Sequence, residues 1–98
     1  VARVAALLLA ESAARLHGER RIRYAAAPEV VAFLVEHGGF DPALGARPMR
    51  GAVQRLVEAP LAERILAGEF GPGDEVRVEV ADGALRFERG GRLAAGVR

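Results

Sequence analysis

The residues whose types and spacing could do chemistry are Arg47 and Arg50, set in Gly45-Ala46-Arg47-Pro48-Met49-Arg50 and entered through Phe40-Asp41-Pro42. A guanidinium meets phosphate oxygens with two parallel N–H donors, so arginines held in a fixed frame point to anion binding. The frame is written around them. Asp41 can cap a short helical turn that Pro42 opens, and Gly45 suits a position with positive φ. Pro48 predicts the start of a longer helix, because its ring fixes φ near the helical value and its missing N–H is one the first turn leaves unpaired anyway. A helix N-terminus favours acidic side chains, yet no Asp or Glu stands between Gly45 and Arg55. An anion from elsewhere would balance that charge, with free amides and the two guanidinium groups as its donors. Two solvated arginines would look the same by charge alone.

The elements that must position this stretch follow from periodicity. Residues 1–16 read as a helix ended by Gly18, with Val1, Val4, Ala5, Leu8, Leu9, Ser12 and Leu16 on one face. Glu11 and Arg15 form a favourable pair along it, and Leu7 lies off the stripe as a surface leucine. Ile22 and Tyr24 alternate with arginines as a short strand. A second helix runs from Pro28 to about His37, burying Val30, Val31, Phe33 and Leu34 and stopping at Gly38-Gly39; Ala27 cannot cap it. The third helical stretch, Pro48 to Ala67, keeps Met49, Val53, Leu56, Val57, Leu61, Ile65 and Leu66 in helical spacing, and Pro60 predicts a break at Glu58 to Ala59. Its other side, Arg50, Gln54, Arg55, Glu58, Glu63 and Arg64, is polar and mixed in sign.

After the turn Gly71-Pro72-Gly73-Asp74 the period switches to two. Asp82-Gly83 predicts a two-residue hairpin of type I′, which pairs Ala81 with Ala84, Val80 with Leu85, Glu79 with Arg86, Val78 with Phe87 and Arg77 with Glu88. The predicted fold is α+β, with helices packed on one face of a small three-stranded sheet made by the Ile22 strand and this hairpin. Residues 1–89 form the domain and residues 90–98 a flexible tail.

Composition removes most other chemistries. The 98 residues carry a net charge of only +1, so the chain is not strongly cationic although all its basic side chains are arginine. It has no Cys, which excludes disulfides and thiolate sites, and His17 and His37 have no companions for a metal. A phosphate-binding Walker A loop needs Lys and Ser or Thr, and with no Lys, no Thr and only Ser12 the chain cannot hydrolyse ATP alone. Ser12 also lacks the setting of a catalytic serine. The apolar run at residues 4–10 is too short to span a membrane. Beginning on Val1, the chain reads as a piece of something longer.

The run from Phe40 to Arg50, followed by Ala52-Val53-Gln54-Arg55, Pro60-Leu61-Ala62 and Ile65-Leu66-Ala67-Gly68, resembles the C-terminal small domain of Clp-type AAA+ unfoldases. The resemblance extends from about Leu16 to Phe87, with Gly-Ala-Arg-Pro as its most specific part. It implies that Arg47 is the sensor-2 arginine, reaching the phosphates of ATP bound on an adjacent large domain that also holds the Mg ion. Gly45, Ala46 and Arg50 would complete that nucleotide-binding stretch. It implies further a cytoplasmic lid domain that packs on its own large domain and on neighbouring subunits of a homo-hexamer. The output would be unfolding of misfolded or tagged proteins, for disaggregation or for delivery to a peptidase partner, with no nucleic acid and no membrane involved. Met49 stands where Leu is commoner in that family, and Gly51 where a basic residue is frequent. The rival reading is a free-standing arginine-rich module for nucleic acid, using Arg20, Arg21, Arg23, Arg77, Arg86 and Arg89; Glu75, Glu79 and Glu88 interrupt that face.

Overall fold

Alternating and helical periods resolve, in a computed structural model that describes residues 2–90, into α1 (Ala2–Arg20), β1 (Arg23–Ala26), α2 (Pro28–Leu34), α3 (Met49–Val53), α4 (Ala59–Leu66), β2 (Glu75–Ala81) and β3 (Ala84–Arg89). The strands make one three-stranded sheet in the order β1-β2-β3. β1 pairs with β2 in parallel, which requires a crossover, and the helices between them supply it. Tyr24, Val76, Val78 and Phe87 bury one side of the sheet in a core shared with Ala5, Leu9, Val30, Leu34, Met49, Val57 and Leu61. Phe70, which the periodic patterns do not reach, is also buried there. The predicted α+β architecture is the one observed. Apart from Gly90, the expected tail lies outside the described residues.

The hairpin register matches the sequence expectation pair by pair, extended by Val76 opposite Arg89. Asp82 and Gly83 both have positive φ, +54° and +76°, as a type I′ turn demands. On the outer face the four charges join. Arg77 bonds Glu79 and lies 3.3 Å from Glu88, while Arg86 lies 3.4 Å from Glu79 and 3.0 Å from Glu88. The hydrogen bond from Arg77 holds the Glu79 carboxyl below its ordinary pKa. A lowered folded-state pKa means that this stabilisation is fully present above the ordinary carboxylate value of about 4 and is lost as pH falls from there through the lowered folded-state value. Thermal midpoints followed from pH 7 down to 3 should therefore fall less steeply in Glu79→Gln than in the parent chain.

Four local expectations change in the folded chain. Gly18 does not end α1; the helix continues to Arg20, and Arg21 takes the left-handed conformation at φ +61°. The reason lies far along the chain. Gly73 N–H donates to Arg21 O at 2.8 Å and Arg23 N–H to Asp74 O at 3.1 Å, which places the turn after Arg20. Gly18 is then an exposed helix-interior glycine with nothing within 4 Å of a Cβ. Gly18→Ala should stabilise the domain by roughly 0.5–1 kcal/mol, read as a higher urea midpoint at unchanged slope. If Gly18 were a C-terminal stop, the same change would destabilise it.

The intrahelical pair of Glu11 and Arg15 is also replaced. Arg15 reaches Glu58 at 2.6 Å, and Glu11 lies 3.9 Å from Arg50, so α1 is tied to the helical stretch beside it. The break expected at Glu58 to Ala59 takes the form of one wide turn over Gln54–Glu58, in which Ala59 N–H reaches back to Gln54 O. Backbone angles stay helical on both sides, at φ −70° and ψ −44° for Glu58 and φ −67° and ψ −47° for Ala59. Widening one turn relieves the clash of the Pro60 ring with the preceding turn without a sharp bend. Leu61 and Ile65 keep the core-facing line. Leu66, one step of about 100° further round, is 77% exposed although it shares the helical apolar spacing.

Candidate phosphate-facing arginine site

The loop that carries Arg47 starts from α2. Helical hydrogen bonding is followed there by a wide turn over Val35–Gly39, where His37 leaves helical angles and Gly38 takes φ +110°. Gly38 takes the left-handed angle of the turn, and Gly39 is required by contact. A Cβ at that position would stand 2.6 Å from both Leu34 O and Met49 Sδ, so the chain passes directly against the first residue of α3.

Residues 40–48 then form a closed loop. Asp41 and Gly45 exchange backbone hydrogen bonds at 2.9 and 2.6 Å, and Asp41 Oδ1 accepts the N–H groups of Ala43 at 2.7 Å and Leu44 at 3.0 Å. Asp41 therefore caps this turn as expected, but the turn is closed by paired backbone groups and is not helical. Gly45 has the positive φ its sequence setting predicts, +68°. Pro48, at φ −74° and ψ −2°, stands just before the first residue of α3, and its carbonyl accepts from Ala52 N–H at 3.1 Å.

Several amides at this corner are used by the loop itself. Met49 N–H donates to Ala46 O at 2.9 Å, Arg47 N–H faces Leu44 O at 3.4 Å, and Gly45 N–H is spent on Asp41. The charge that would attract an anion to this corner is carried by side chains. Arg47 is exposed, and among the described residues its guanidinium has no ion pair and no hydrogen bond. The other arginines of the stretch are engaged: Arg50 with Glu11 at 3.9 Å, Arg55 with His37 O at 2.9 Å and Arg64 with Glu69 at 3.0 Å. Arg50 keeps most of its freedom at that distance and can add to the local field.

The family described as the C-terminal, D2-small domain of ClpB protein matches residues 1–78. The chain belongs to this family. Its relatives include the chaperone protein ClpB of Streptomyces albus G, 48% identical over 86 residues, which are 87% of this chain and 10% of that protein. ClpB of Rhizobium meliloti strain 1021 is 40% identical over 76 residues, 78% of this chain and 9% of that protein. The chloroplastic ClpC4 of Oryza sativa subsp. japonica is 45% identical over 84 residues, 86% of this chain and 9% of that protein. The chain thus spans about a tenth of the length of these relatives.

This D2-small domain also holds a cleft of about 220 Å³ that motif reasoning does not anticipate, lined by Ser12, Tyr24 and the ion-paired Arg15 and Glu58 among others. Tyr24 donates its hydroxyl to Leu9 O at 3.3 Å, and burial pushes the phenol above its ordinary pKa. Arg47 does not line that cleft. The nearest sequence signal was Ser12, a polar residue inside the apolar stripe of α1. No helix among the described residues is long and apolar enough to cross a membrane.

Proposed function

We propose that this D2-small domain works as the lid of an ATP-hydrolysing ring, with Arg47 directed at the phosphates of ATP bound on an adjacent large domain. The observation that carries this is the state of Arg47 itself. It is an exposed guanidinium without a partner among the described residues, on a loop whose backbone is hydrogen-bonded shut, next to arginines that each have an acceptor. The loop fixes the point from which the side chain departs and leaves its charge unneutralised, so it is available to stabilise charge that develops elsewhere. Gly45 and Ala46 shape the loop so that it can approach closely; Arg50 strengthens the positive field. ATP supplies the transferable phosphoryl group, and the large domain holds Mg.

Phe40 and Leu44, 41% and 53% exposed on the same loop, would be covered by that large domain. The lid would also meet the next subunit of a hexamer, so that hydrolysis moves one domain against the other. Membership of the ClpB D2-small family supports a chaperone role in the cytoplasm, remodelling misfolded or tagged proteins for disaggregation or for a peptidase partner. The nucleic-acid reading has less in its favour. Arg77 and Arg86 are paired with Glu79 and Glu88, and Arg89 lies 3.5 Å from Asp74, which leaves no continuous basic face on the sheet. The direct test is a structure of the full-length assembly with an ATP analogue. Arg47 should lie within hydrogen-bond distance of the β- or γ-phosphate; a guanidinium facing bulk water there would defeat the proposal.

A further inference from the structure

We propose that Arg55 is a positioning residue for Arg47, acting by clasping the turn from which the Arg47 loop departs; the inference rests on the phosphate-directed role of Arg47. Residues 40–48 run between the wide turn Val35–Gly39 and the start of α3. Where Arg47 points depends on how those two ends are held to one another. One tie is steric, the packing of Gly39 on Met49 Sδ and Leu34 O, which leaves no room for a Cβ. The other is polar. Arg55 Nη2 donates to His37 O at 2.9 Å, crossing Gly38 so closely that a Cβ there would stand 2.9 Å from the same nitrogen.

His37 is itself held from α2. Its ring stacks on Phe33 with centroids 3.9 Å apart, and its Nδ1 carries the proton donated to Phe33 O at 2.8 Å, since a carbonyl oxygen can only accept. The acceptor for Arg55 is thus a fixed carbonyl. Arg55 stands on the wide turn Gln54–Glu58, directly continuous with the helix that Arg47 and Pro48 lead into. One guanidinium therefore closes a circuit from α2 through the turn to α3 and back along the loop. Without it the tie that remains is apolar packing of the turn on α3, with Gly39 against Met49, and packing alone permits small rotations that a directed hydrogen bond resists. Arg55 is exposed and touches neither the core nor the proposed phosphates, so its effect on turnover would pass through Arg47.

The test uses the full-length protein and four variants: Arg47→Ala, Arg55→Ala, Arg55→Lys and the double variant Arg47→Ala with Arg55→Ala. ATP turnover, thermal midpoint and oligomeric state by light scattering are measured for each. Displacement of a positioned group by about 1 Å costs up to about 100-fold in rate, so Arg55→Ala should slow kcat about 10-fold with assembly and midpoint little changed. Arg55→Lys should recover part of the loss, because one ammonium N–H can still reach one carbonyl. The double variant should be no slower than Arg47→Ala alone, since a residue that acts only by aiming Arg47 has nothing left to aim. If Arg47→Ala slows turnover but Arg55→Ala does not, or the two losses multiply, or Arg55→Ala acts by dispersing the ring, the positioning role is overturned and the phosphate reading stands. If Arg47→Ala leaves turnover unchanged, the phosphate reading falls and this inference with it.

Discussion

Arg47→Ala in the full-length protein is expected to lower kcat for ATP hydrolysis by roughly 10²–10³-fold, the usual cost of removing one donor aimed at developing charge. The domain itself should fold unchanged. Arg47 makes no hydrogen bond or ion pair among the described residues, and its loop is closed by Asp41 and Gly45 through backbone groups that the substitution does not touch. Surface replacements of that kind stay within about 0.5 kcal/mol of the parent stability. Arg47→Lys should restore only part of the rate, because an ammonium keeps the charge and loses the planar two-donor fork. The kinetic pattern adds a check. An interaction made only in the transition state lowers kcat and kcat/KM together, whereas one made equally to bound ATP would raise KM with kcat unchanged. Turnover equal to that of the parent would remove Arg47 from the mechanism.

Leu34→Ala should destabilise the domain by about 2–5 kcal/mol, the range for deleting a fully buried leucine and leaving a cavity. Leu34 is completely buried and sits beneath the wide turn that starts the Arg47 loop, with its carbonyl 2.6 Å from where a Gly39 Cβ would stand. Against a total stability of about 5–15 kcal/mol this is a large fraction, and it corresponds to a fall in thermal midpoint of about 10 °C or more for a chain of this size. Leu66→Ala is the matched control. Leu66 belongs to the same kind of apolar spacing but is mostly exposed, so its truncation should shift stability by less than about 0.5 kcal/mol. Urea unfolding of the two variants separates them directly. Equal losses would mean that α4 packs in a different rotation from the one described.

These contrasts show where the sequence could be read and where it could not. The β2–β3 hairpin was fully legible, because both of its determinants are local: alternation of apolar and charged residues sets the faces, and Asp82-Gly83 admits one turn type. The same holds for Gly45 with its positive φ and for Pro48 at the entrance of α3, since each acts through its own backbone. The family resemblance rests on that stretch, and it is the part of the functional reading that residue order alone could carry.

What residue order did not decide involves groups far apart in the chain. α1 passes through Gly18 and stops at Arg21 because Gly73 and Asp74 hold the backbone there. Glu58, not Glu11, takes Arg15, and Arg55 finds the carbonyl of His37, because partners are chosen by distance in space after the helices pack. Helical spacing placed Leu61 and Leu66 in one stripe, and only the packed helix exposed the second. Local backbone preference is a property of a residue and its neighbours, so it can be read in order; burial and pairing are properties of a whole folded surface, and exist only once distant segments have met.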